Sequence, residues 1–137
     1  MTVKTKDGGT IQIKDFLHNG VTIPDIVNPG HWVLAGSLGY KPGPGLKGMK
    51  STAYPSKLFQ ITYDEQDQFF NTILISKPVG KARQEAEKFL LRTLRVTKEQ
   101  LCRLNYNVGT TYRVDDRYDY GNLGISFCPD ARELPLK

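Results

Sequence analysis

One stretch of this chain repeats apolar residues at the helical period for long enough to make a substantial helix, and the rest must be arranged around it. From Gly80 to Arg95, the side chains of Ala82, Ala86, Phe89, Leu90, Thr93 and Leu94 share one arc of about 140°. That is the width of a stripe that packs on a core. Val96 breaks the period. Thr97 and Gln100 then form a T-x-x-Q capping box, whose side chains satisfy the first free amides of a new helix. A second, short helix is therefore expected from Lys98 to Leu104.

On either side the pattern changes to the period of strands. Lys57–Tyr63 and Gln68–Ser76 alternate around the polar turn 64–67 and read as a hairpin. Thr10–Ile13 and His31–Ala35 are shorter strand candidates. Val21–Val27 is a third, confined by Pro24 to an edge. Tyr106–Val114 and Leu123–Phe127 read as a closing strand pair, ended by Pro129. Asp15–His18 has the look of a single helical turn. Strands, then helices, then strands again predict an α+β fold with a mainly antiparallel sheet, one long and one short helix, and an irregular Gly/Pro-rich N-terminal half.

At 137 residues the chain is the size of a single domain, expected over 1–137. Within it, Gly36–Ser51 carries five glycines and two prolines, which no helix or central strand tolerates. A long surface loop is expected over 36–56, and a weakly ordered tail over 130–137. No segment approaches the ~20 apolar residues of a membrane helix. The N-terminal residues lack the apolar core of a signal peptide. A cytoplasmic protein with Cys102 and Cys128 as free thiols, and no membrane partner, is the resulting expectation.

Motifs for chemistry fail on context. Gly43-Pro44-Gly45-Leu46-Lys47-Gly48 matches G-x-G-x-x-G, but no helix pattern follows to present its N-terminus to a pyrophosphate. His18, His31, Cys102 and Cys128 lack the short spacings of a zinc site. Cys128 has no local partner that would make it a nucleophile. The acidic groups at 64–67 and 115–119 fit turns, where Asp bonds its own backbone. No catalytic residue, metal or cofactor is assigned.

Charge is the positive signal. The net charge is +5. Residues 77–104 hold eight basic and three acidic side chains, so the whole excess lies there. Lys81, Lys88, Arg92 and Arg95 line the side of the long helix opposite its apolar arc. Such a stripe fits a phosphate backbone or an acidic protein surface. Lys41, Lys47 and Lys50, without acidic neighbours, form a second candidate for phosphate contact. Tyr118 and Tyr120 beside Arg117 are candidates for an interface, because Tyr and Arg anchor partners and stack on bases. These features suggest a non-catalytic binding protein within a larger assembly, contacting nucleic acid through its basic helix. The alternative is a structural or regulatory protein-binding subunit of a multi-protein or homo-oligomeric assembly.

Overall fold

A computed structural model describes residues 1–40 and 50–137. The elements in chain order are β1 (Thr2–Lys4), β2 (Thr10–Gln12), β3 (Ile23–Pro24), β4 (His31–Ala35), β5 (Phe59–Asp64) and β6 (Phe69–Leu74). Then come α1 (Val79–Leu94), α2 (Lys98–Arg103), β7 (Tyr106–Thr110) and α3 (Tyr112–Asp115). The fold is α+β, with a five-stranded sheet in the order β3-β4-β5-β6-β7 and a separate β1–β2 hairpin.

The hairpin β5–β6 is the frame. Its residues pair from Phe59 with Leu74 to Asp64 with Phe69, and every second side chain is buried. Phe59, Ile61, Tyr63, Phe70 and Leu74 thus line one face of the sheet and form much of the core. The polar turn closes on itself where the Asp64 carboxylate accepts from the Gln66 amide. β4 runs antiparallel along β5, with a bulge between Val33 and Ala35 that keeps Leu34 and Ala35 in the core.

The expected helix is α1, which lays Ala82, Ala86, Phe89, Leu90 and Leu94 on that core. The Phe89 ring packs at a tilt against Phe59 and Tyr54, with ring centres 5.7 and 4.8 Å away. α2 begins with the expected capping box: Thr97 Oγ1 accepts from the Gln100 amide at 3.1 Å, and Gln100 Oε1 accepts from the Thr97 amide at 2.9 Å. The two helices carry the chain back across the face, so β7 joins β6 in parallel, from Phe70 beside Tyr106 to Leu74 beside Thr110. The sheet is thus mostly antiparallel with one parallel pair. The β1–β2 hairpin closes the core from the other end, burying Val3, Ile11, Ile13 and Phe16, with Phe16 edge-on to Tyr63 at 4.9 Å.

Four expectations are corrected. Asp15–His18 is not a helical turn; the Asp15 carboxylate accepts from the Leu17 amide and bonds His18 instead. The strand expected over Tyr106–Val114 stops at Thr110. Thr111 O then accepts from the amides of Val114 and Asp115, winding a third helix, α3. Leu123–Phe127 is no strand either. Gly124 holds φ +75°, a left-handed value that takes the chain out of any ladder. Ahead of it, Asn122 lies along β7: its Oδ1 accepts from the Val108 amide at 2.9 Å and its Nδ2 donates to Tyr106 O at 3.2 Å. Leu123 adds one backbone bond, to Val108 O at 2.7 Å.

The fourth correction is chemical. Cys102 and Cys128 are not free thiols. They form a disulfide, Cα to Cα 5.5 Å, that ties α2 to the C-terminal segment. Their separation of 26 residues had given no sign of pairing, because α2 and the segment are brought together only by the tertiary fold. With the disulfide goes the argument from reduced thiols for a cytoplasmic location. No helix among the described residues is long and apolar enough to cross a membrane.

The tail beyond Asp130 has no regular element. It lies against the start of α1, where Pro78 supplies no side-chain cap. Pro135 O accepts there from the Gly80 amide at 2.9 Å. A Cβ on residue 80 would stand 2.5 Å from that oxygen and 2.6 Å from Leu134 O, so only glycine admits the tail so closely.

Candidate functional site

α1 divides its charged residues between inside and outside. Lys81, Lys88 and Arg92 are exposed, on the side of α1 opposite its buried residues. Arg95, expected on the same stripe, is exposed but ends the helix as its C-cap with a left-handed φ of 51°, so the helical period no longer places it there. Lys88 pairs with Glu85 at 3.3 Å, an exposed i,i+3 contact of small energetic weight. Among the described residues, no ion pair engages Lys81, Arg92 or Arg95.

Arg83 and Glu87 point the other way and are both buried. Arg83 donates through one terminal nitrogen to the carbonyls of Leu123, Gly124 and Arg132, at 3.1, 3.4 and 2.8 Å. Glu87 accepts from the Ser126 amide at 2.5 Å and from its hydroxyl at 2.6 Å. Burial pushes the Arg83 guanidinium below its usual range, and the Glu87 carboxylate beside it pushes back. This pair is a fastening for the segment 122–132. Neither residue was singled out from the sequence, although Arg83 falls between Leu90 and Leu94 on the helical wheel, inside the apolar arc. A charge inside such an arc is the signal that finds it.

The second feature joins Arg132 of that segment to residues 117–120, which precede it. Tyr118, Tyr120 and Arg117, named from sequence as an interface, come together with Arg132. The Arg117 guanidinium stands 5.2 Å from the Tyr118 ring centre, and Arg132 stands 5.5 Å from Tyr118 and 4.8 Å from Tyr120. Rings and guanidinium groups thus alternate as a ladder: Arg117, Tyr118, Arg132, Tyr120. Both ends of the ladder are anchored. Arg117 is a bidentate partner of Asp115, with bonds of 3.0 and 2.9 Å. Asp115 is fully buried, and the Arg117 side chain holds its carboxyl down to about 2. Arg132 donates to Tyr120 O at 3.2 Å.

Between stripe and ladder lies a shallow cavity of about 300 Å³. Lys77, Pro78, Asp115, Arg117, Pro135 and Lys137 line it. Lys77 and Lys137, exposed and cationic, were not singled out from the sequence, since they meet only where the tail docks on the start of α1.

The remaining candidates stay apart. Lys50 is exposed and donates to Gly20 O at 3.2 Å, away from α1. Lys41 and Lys47, with the G-x-G-x-x-G stretch, lie outside the described residues. A cavity of about 470 Å³ is bordered by Gly36, Ser37, Thr52, Ser56, Lys57 and Gln60. Among the described residues, no three His, Cys, Asp or Glu side chains gather closely enough to hold a metal ion. Cys128 is spent in the disulfide. Chemically, then, the ordered groups around α1 offer cations and aromatic faces. Comparison with known protein families, with curated proteins and with solved structures finds no match to this chain.

Proposed function

We propose that this chain is a non-catalytic binding domain that works within a larger assembly and engages a nucleic-acid backbone through the exposed face of α1. One observation carries the reading. The net charge of the chain is confined to 77–104, and the one buried cation there, Arg83, is offset by buried Glu87, so the excess of +5 remains on the surface. Lys81 to Arg92 span about 17 Å along the helix axis, long enough to meet several phosphates, with Arg95 just past its end.

The test replaces Lys81, Lys88, Arg92 and Arg95 with Gln, which keeps helix propensity close to that of Lys and Arg. Each lost phosphate contact lowers the slope of log K against log salt by roughly one unit. Affinity for mixed-sequence DNA or RNA at low salt should collapse and the slope should flatten. A folded variant that binds as the parent does, with the same slope, would refute the reading.

The second reading, a subunit that docks an acidic protein surface, is favoured by the disulfide. Such bonds belong mainly to oxidising compartments, where nucleic-acid partners are scarce. It requires negligible nucleic-acid affinity in the parent and retained binding to an acidic polypeptide.

A further inference from the structure

We infer that the nucleic acid this domain takes is single-stranded, its backbone following a track of cations and its bases stacking on the tyrosines at the track's end. The inference rests on the reading of α1 as a backbone-binding face and narrows its ligand class.

The track begins on α1 with Arg92, Lys88 and Lys81. At the start of the helix it passes to Lys77 and Lys137, which share the small cavity with Arg117. Arg117 is also the first rung of the ladder. Cationic groups and aromatic rings therefore follow one another along a single path, although they come from α1, the 112–120 segment and the tail. Asp115, the acid in that cavity, is buried and already bonded by Arg117. Exposed Asp116, Asp119 and Glu133 flank the path, so its attraction for phosphate weakens toward the ladder. Stacking, which needs no charge, takes over where charge declines.

The ladder is suited to that role. Tyr118 is half-buried and held between two guanidinium groups. Tyr120 has Arg132 4.8 Å from its ring centre and 3.5 Å from its hydroxyl and is still 66% exposed, so ring surface remains open while Arg132 holds the ring. A ring ordered in advance loses little freedom on binding. A duplex cannot stack on it in this way, because its internal bases are already stacked on each other and only their edges and the backbone are offered. A single strand uses cations and ring together.

Binding of one mixed-sequence oligonucleotide, single-stranded and as its duplex, tests this with the parent, Tyr120→Ala and Tyr120→Phe. The parent should prefer the single strand. Tyr120→Ala should lose roughly tenfold or more on the single strand and leave the duplex unchanged, the loss expected of one stacked base. Tyr120→Phe, which keeps the ring, should bind as the parent does. Equal binding of both forms by the parent, or single-strand binding indifferent to Tyr120→Ala, would overturn the inference and leave the backbone reading standing. A parent that binds neither form would overturn both.

Discussion

Arg83 and Glu87 form a buried ion pair one turn apart on α1, with Nε and Oε2 3.9 Å from each other. At that distance Arg83 Nε makes no hydrogen bond, while a terminal nitrogen of Arg83 binds the carbonyls of Leu123, Gly124 and Arg132 and Glu87 binds Ser126. Neither charge can be removed alone without cost. In Arg83→Met, Glu87 is left buried without its partner, and three carbonyls lose their donor. Breaking such a pair costs about 3–5 kcal/mol. Urea denaturation should register that loss, and amide exchange over 123–132 should accelerate. A change below about 1 kcal/mol, with exchange unaltered, would mean that solvent already compensates the pair.

The disulfide should contribute through the unfolded chain. Closing a loop of 26 residues is worth about 3.5 kcal/mol by chain entropy. Thiol titration in denaturant, without reductant, should find no free thiol. The double variant Cys102→Ser, Cys128→Ser should melt well below the parent. Two titratable thiols in the purified protein would disprove the bond.

Gly80→Ala makes a prediction against the usual sign. Within a helix the change ordinarily stabilises by up to about 1 kcal/mol. Here the new methyl would meet Pro135 O at 2.5 Å, so the tail must move or the helix shift. A loss of about 1–3 kcal/mol, the range for overpacking, is expected in thermal denaturation. A stabilised variant would show that the tail does not hold this position in solution.

Asp115 sets an acid limit. Arg117 holds its carboxyl at about 2 in the folded protein, below the ordinary 3.8. A carboxyl depressed in this way stabilises the fold fully above about pH 4 and loses that contribution as pH falls toward about 2. The stability gap between the parent and Asp115→Asn should therefore be constant at neutral pH and narrow below about pH 4. Denaturant midpoints taken down that range would show it; a gap independent of pH would rule out the pair as its source.

The parts of the fold legible in the sequence are those fixed by local periodicity. The β5–β6 alternation, the α1 arc and the Thr97–Gln100 box each depend on residues a few positions apart, and each appears where expected. The C-terminal region misled for the opposite reason. Leu123–Phe127 alternates like a strand, but its path is determined by Gly124, by Asn122 through bonds to β7 14 and 16 residues away, and by the Arg83–Glu87 pair through bonds 39 to 49 residues apart in sequence. The exposure of the α1 cations followed from the wheel. Their continuation through Lys77 and Lys137 to Arg117 did not, because it exists only once the tail has docked.

The side chain of Asn122, lying along β7 in place of a neighbouring strand, has a consequence for self-association. The groups it occupies are those that another chain would need in order to extend the sheet from that side. At the other end the outermost strand is β3, two residues long, and Pro24 has no amide hydrogen to give. Copies of this chain that associate are thereby steered away from end-to-end sheet growth, the route to open fibres, and toward packing face to face.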